Sequence, residues 1–166
     1  MANFIYFFAY DELIMPEVFE KHGFVANARF NVTLSAYKMV FHKIPNNPED
    51  FKEGEGRPTI IPTDSNIGMM EGILYEIDET LLPKLDEYYG HPNDYHRKKM
   101  RFTKHDFTFI NGFVYMAQVE NTDSRLLPSQ AQLDAYRPAR KTMTRLYFSR
   151  LVTQATVEEP HKRRPG

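Results

Sequence analysis

The run Asn3-Phe4-Ile5-Tyr6-Phe7-Phe8-Ala9-Tyr10 restricts the fold more than any other stretch of this chain. It has strand length, is almost continuously apolar and aromatic, and lacks polar alternation. That pattern describes a strand buried on both faces, not a half-exposed one. The run stops at Asp11-Glu12.

The elements that follow can be read in order. Pro16 suits the first position of a short helix and Gly23 its C-terminal stop. Residues 24–35 and 36–42 read as two strands, with Phe30, Val32 and Leu34 alternating in one and Tyr37, Met39 and Phe41 in the other. Residues 43–57 form a polar loop, and Thr59-Ile60-Ile61 is a short strand. Residues 69–77 are another strand, in which Gly72 marks a bulge or a close approach by another segment. Asp78 can N-cap a helix over about 79–88 with Leu81, Leu82 and Leu85 on its apolar face, and Gly90 ends it. Residues 95–102 and 107–119 form a strand pair, with Phe113, Tyr115, Ala117 and Val119 on one face. Ser129 can cap a C-terminal helix broken near Pro138, after which Ala139, Met143, Leu146, Tyr147 and Leu151 share a side.

Strands outnumber helices, and most strands have no helix between them. The expected fold is therefore α+β: a small mixed, mostly antiparallel β-barrel with flanking helices, and not a doubly wound sheet. Residues 1–154 form one domain. Residues 155–166, without apolar periodicity, read as a flexible basic tail.

Composition narrows the chemistry. The 166 residues include no cysteine, which excludes disulfides, thiolate nucleophiles and cysteine-ligated metals. No apolar run has the length of a membrane span, and no basic lead precedes the first apolar run, so a cytoplasmic protein without membrane contact is expected. Charge is divided unevenly. From Arg137 onward there are eight basic and two acidic side chains, against thirteen and twenty before it. Such a basic end can meet a polyanion, fold back on the body or assemble with a second copy, so a homodimer stays open. No nucleic-acid module is evident. His91, Asp94 and His96 do not have the spacing of a helical metal-ligand pair, and no metal is expected.

Three stretches resemble the γ-glutamylcyclotransferase-like family, also called AIG2-like or BtrG-like. The first is Phe4 to Tyr10 followed by Asp11-Glu12-Leu13, which is similar to the family's opening strand and its Tyr-Gly-Ser-Asn turn. The second is Gly72-Ile73-Leu74-Tyr75-Glu76-Ile77, then Leu85-Asp86-Glu87-Tyr88-Tyr89-Gly90, then Tyr95-His96-Arg97. It resembles the family's central strand, its Leu-Asp-x-x-Glu-Gly helix and its Tyr-x-Arg strand. The third is Val114-Tyr115 with Leu127-Pro128-Ser129. The likeness runs over about residues 3–153.

The resemblance implies a barrel with a small-molecule cavity at one end and no cofactor. It also implies a turn whose backbone N–H groups hold an anion, and a glutamate that moves protons while a substrate amine attacks its own γ-amide carbonyl. In this sequence the glutamate falls on Tyr89, whose phenol titrates near 10 against about 4.3 for glutamic acid. The turn carries Asp11 and Glu12 in place of Gly-Ser. Two carboxylates there disfavour an acidic γ-glutamyl substrate, since like charges about 4 Å apart repel by about 4 kcal/mol at an effective dielectric of 20.

Two functions stay open. One is a divergent enzyme on a small amino-acid-derived or amide substrate. Its catalytic candidates are Glu12, Glu87 and Tyr89, and its substrate-binding candidates are Tyr10, Asp11, Leu13, Tyr95 and Tyr115. Asp11 is also a candidate acid/base. The other is a non-catalytic member that binds a small ligand or another protein.

Overall fold

The computed structural model describes residues 3–64 and 68–161. The chain runs β1 (Phe4–Ala9), α1 (Pro16–Lys21), β2 (Ala28–Ser35), β3 (Tyr37–Lys43), β4 (Arg57–Pro62) and β5 (Met69–Asp78). It continues through α2 (Leu82–Tyr89), β6 (Tyr95–Lys104), β7 (Phe109–Ala117), α3 (Gln130–Asp134) and α4 (Arg145–Val152), with one-turn 3-10 segments between several of them.

Five strands close a barrel in the order β1-β5-β2-β6-β7, while β3 and β4 pair separately. Every barrel pairing is antiparallel except the one that closes it, where β1 lies parallel to β7 with Phe7 opposite Phe113. This is the expected mixed, mostly antiparallel barrel with flanking helices.

Successive residues of β1 serve different cores. Phe8 joins Val32, Leu74, Phe102 and Val114, so each barrel strand sends a side chain into one cluster that fills the lumen. Phe7 and Ala9 join Tyr75, Phe113 and Tyr115 on the outer face, beneath Phe19 of α1, Leu85 of α2, Leu133 of α3 and Leu151 of α4. Both faces are covered, which is why β1 shows no polar alternation. Its first residue departs from this, because Phe4 at the strand's outer end is 46% exposed. Gly72 marks a close approach: a Cβ there would lie 2.6 Å from both the Ala9 carbonyl oxygen and the Phe8 ring.

Some expectations need correction. β2 starts at Ala28, because Phe24 is used to close α1, its N–H donating to the Phe19 carbonyl (3.2 Å) behind Gly23 at positive φ. Val119 does not share the face of β7; the strand ends at Ala117 and Val119 opens an exposed 3-10 turn. The C-terminal helix is three pieces, with a 3-10 segment Arg137–Thr142 around Pro138 and a fresh N-cap at Thr144. That break resets the helical phase, so Leu146 faces solvent while Ala139 and Leu151 are buried.

The segment expected to be a loose tail is docked at its start. Ala155 and Thr156 are buried, and the Val157 N–H donates to the Pro128 carbonyl (3.0 Å). Glu158 accepts from the Gln130 N–H (3.0 Å) and pairs with Lys52. Residues 162–166, with the basic Lys162, Arg163 and Arg164, lie outside the described residues. No described helix is long and apolar enough to cross a membrane.

Candidate active site

The site grows from the end of β1. Asp11 leaves the strand and its Oδ1 accepts the Leu13 N–H (3.0 Å), so it N-caps the 3-10 turn Glu12–Ile14. Aspartate is well suited to this, since a short side chain reaches a free N–H two residues on. Pro16 then starts α1. The cap leaves the other carboxyl oxygen, Oδ2, to accept the Tyr89 hydroxyl (2.8 Å).

Tyr88 and Tyr89 are the last two residues of α2, which stops at Gly90 in the left-handed region (φ 66°, ψ 37°). The Tyr89 ring stacks on Tyr115 (4.2 Å between centroids, 13° between planes) and meets Tyr88 and Tyr95 edge-on. Its hydroxyl is thus held in one place. Tyr88 donates to Glu12 Oε1 (2.5 Å), and Arg57, the first residue of β4, donates to the same oxygen (2.8 Å). Arg57 also donates to Gln132 Oε1 of α3 (3.1 Å). Lys43, the last residue of β3, is 2% exposed and pairs with Asp94 (2.8 Å) while donating to Asn46 Oδ1 (3.2 Å) and the Ile44 carbonyl.

These side chains line a cavity of about 140 Å³ roofed by Pro45, Asn46, Asn47 and Phe51. Tyr95, which anchors its hydroxyl on the Pro58 carbonyl (2.7 Å), forms another wall. The cavity sits where β1 exits and β6 enters, at one end of the barrel; the lumen itself is filled.

Burial dominates the electrostatics. It pushes the Asp11 carboxyl up to about 7, and the charge on Glu12 adds to this. The Tyr89 hydroxyl, the Leu13 N–H and Arg57 favour the carboxylate and offset only part of the rise. Burial, followed by the charge of Asp11, also lifts the Tyr89 phenol well above its ordinary value. Tyr89 is therefore a donor at neutral pH, whereas Asp11 can gain or lose a proton there.

The expected residues separate into two groups. Asp11, Glu12, Tyr89 and Tyr95 line the one cavity. Glu87 does not: it is exposed on α2, as its two-residue offset from Tyr89 requires. Tyr10 is buried beside the site with its hydroxyl on the Tyr115 carbonyl (2.6 Å). Leu13 contributes its N–H and a fully buried side chain. Tyr115 backs Tyr89 and donates to Asp86 Oδ1 (2.6 Å) rather than facing the cavity.

Sequence reasoning missed Arg57, Lys43 and Tyr88, which the β3–β4 sheet and the end of α2 deliver. Their presence also corrects the charge argument, because Glu12 does not stand as a bare anion. Among the described residues no three His, Asp or Glu side chains gather as a metal-ligand set. Asp94 is held by Lys43, and His91 Nδ1 accepts the Arg97 N–H (3.1 Å).

Comparison with known proteins agrees with the motifs. The model of the family described as gamma-glutamyl cyclotransferase, AIG2-like, matches residues 7–135. A search of curated proteins finds no match to the chain. Among solved structures, a gamma-glutamyl cyclotransferase superposes with a TM-score of 0.77 at 16% identity, over 93% of this chain and 89% of that one. The uncharacterized protein loc79017 from Homo sapiens gives 0.72 at 17%, over 92% and 89%. A glutathione-specific gamma-glutamyl cyclotransferase from yeast gives 0.63 at 12%, over 90% and 94%. At these identities the structural likeness speaks for the fold alone, and the match over residues 7–135 speaks for descent. The chain belongs to the gamma-glutamyl cyclotransferase, AIG2-like family.

Proposed function

We propose that this protein is an amide-cleaving enzyme of the cyclotransferase type whose proton-transfer carboxyl has moved from α2 to the turn after β1. One observation carries the reading: the buried Asp11 carboxyl lies 2.8 Å from the hydroxyl of Tyr89, the residue on which the motif resemblance puts the family's glutamate. In this reading the carboxyl has changed its point of attachment, which is supported by Asp11 and Tyr89 lining one small cavity.

In this reading Asp11, as carboxylate, takes a proton from the substrate's ammonium group. The freed amine attacks the amide carbonyl, and Asp11 returns the proton to the departing nitrogen. A group that titrates near 7 suits both transfers. Tyr89 orients the carboxyl and stabilises its charged form by donating to it. Glu12 serves the site by holding Arg57 and Tyr88. The substrate is a small amino-acid-derived amide, the chemistry needs no cofactor, and a cytoplasmic setting suits a chain without cysteine.

The test is release of p-nitroaniline from a panel of γ-glutamyl-, 4-aminobutyryl- and 5-aminopentanoyl-p-nitroanilide, whose amines can reach the carbonyl in a five- or six-membered ring, by the wild type and by Asp11→Asn. Loss of 10²–10⁴-fold in kcat with the fold intact is expected, the usual contribution of a positioned acid/base. Undiminished turnover in the variant overturns the assignment. A second reading, a ligand-binding member without turnover, is favoured by the use of the Leu13 N–H inside the protein, by Asp11 itself. It predicts binding with no release from any member of the panel.

A further inference from the structure

The cavity's charges can be paired off one by one. Lys43 has Asp94 at 2.8 Å, and Arg57 has Glu12 at 2.8 Å. Among the described residues that line the cavity, Asp11 is the carboxylate left without a cation in contact, and no cation is left without a carboxylate. One donor that the turn could offer an incoming anion, the Leu13 N–H, is taken by Asp11 Oδ1. Only two of the roughly four lone-pair positions of the Asp11 carboxylate are used, by Leu13 and Tyr89. The same cavity is lined by the aromatic side chains of Phe51, Tyr88, Tyr89 and Tyr95. A lone carboxylate among aromatic faces is the chemistry that recognises an alkylammonium ion.

We infer that the site selects ligands that carry a primary ammonium and no neighbouring carboxylate. Its substrate class is then the ω-aminoacyl amide, of which the 4-aminobutyryl amide is the simplest that can cyclise, and not the γ-glutamyl amide. This rests on the proposed reaction for its chemistry and on the pairing of charges for its selectivity. An α-carboxylate would have to enter beside Asp11 with no cation free of a carboxylate to meet it.

The step balances. Asp11 accepts one proton from the R–NH–CO–(CH₂)₃–NH₃⁺ ammonium. The freed nitrogen forms a bond to the carbonyl carbon while the C=O π pair moves to oxygen. The pair returns, the bond from carbon to R–NH breaks, and Asp11 gives its proton to that nitrogen. The products are 2-pyrrolidinone and R–NH₂, with the remaining ammonium proton shared between the leaving amine and solvent.

Two ligand pairs test the inference, each differing only in the α-carboxylate. The dissociation constants of 4-aminobutyramide and glutamine are measured by calorimetry. Turnover of 4-aminobutyryl-p-nitroanilide and γ-glutamyl-p-nitroanilide is followed by absorbance. At least tenfold tighter binding of 4-aminobutyramide, and a tenfold higher kcat/KM for its anilide, are expected. Tighter binding of glutamine, equal binding of the two, or binding of neither overturns the inference.

The two proposals fail separately. Selective binding of 4-aminobutyramide without turnover of either anilide upholds the ligand selectivity and overturns both the enzyme and the substrate class. Faster turnover of the γ-glutamyl anilide, abolished in Asp11→Asn, keeps the enzyme and removes the inference. Glu12→Gln adds a further check, because it leaves the Arg57 guanidinium free for a ligand carboxylate. The preference should move towards glutamine by at least tenfold, and an unmoved preference counts against the pairing argument.

Discussion

Asp11→Asn gives a test of the site that needs no substrate. Asparagine keeps the shape and the acceptor for the Leu13 N–H, and the Tyr89 hydroxyl can turn to accept from the new amide. What disappears is a titration. The Asp11 carboxyl ionises near 7 in the folded protein, against an ordinary value of 3.8. The folded state thus keeps a proton that the unfolded chain has already released, and wild-type stability falls as pH rises from about 4 to about 7, then levels off. Three pH units at about 1.36 kcal/mol each put the full effect near 4 kcal/mol, with about 1 kcal/mol already lost at pH 4.5.

Urea titrations of both proteins at pH 4.5 and pH 8.5 isolate this effect, because all other titrating groups are shared. The variant should gain about 3 kcal/mol on the wild type between the two pH values. With a slope of about 2 kcal/mol per molar urea, the midpoints should separate by a further 1.5 M. A difference between the two proteins that does not change with pH would refute the reasoning. Asp11 would then be an ordinary carboxylate at neutral pH and no candidate for carrying a proton both ways.

Other perturbations probe the neighbours. Tyr89→Phe removes a donor that favours the Asp11 carboxylate, so the corresponding limb of the pH–rate profile should move up by roughly one pH unit. Arg57→Met leaves the half-buried Glu12 without its cation and should lower stability by about 1–3 kcal/mol, read as a thermal midpoint several degrees lower. Gly72→Ala drives a methyl group into the Ala9 carbonyl and the Phe8 ring, and should cost about 3 kcal/mol in urea denaturation while leaving the slope unchanged. The double change Asp11→Gly with Tyr89→Glu returns the carboxyl to α2 and frees the Leu13 N–H, so γ-glutamyl-p-nitroanilide cleavage should rise above the wild-type level.

The parts that were legible in the sequence are those set by neighbours along the chain. The apolar continuity of β1, the Asp78 and Ser129 caps, and the stop at Gly90 all act within a few residues, and each forms where expected. Gly72 was readable because only a close approach explains a glycine inside a strand. Half of the site was readable for the same reason: Asp11 and Glu12 follow β1, and Tyr89 follows from the helix motif. Arg57 and Lys43 were not. They lie at the ends of two strands outside the barrel, and nothing local ties them to a turn more than thirty residues earlier. The misreadings have similar causes. Val119 lies two residues beyond the end of β7, and Leu146 falls out of phase with Ala139 because the helix restarts after Thr144.

The parallel seam between β1 and β7 also governs how the molecule is made. The first strand is bordered by β5 and β7, so both of its partners are synthesised long after it. Contacts so distant along the chain form slowly. Until residue 113 is available opposite Phe7, the strand Phe4–Ala9 has at least one open edge and the greatest aromatic density in the sequence. That is the profile of a segment that pairs with other chains. Yield during expression will therefore depend on how this one strand is sheltered while the rest of the chain is completed. The cavity beside Asp11 draws its lining from residues as late as Tyr95, so it too is complete only well after the first strand has been made.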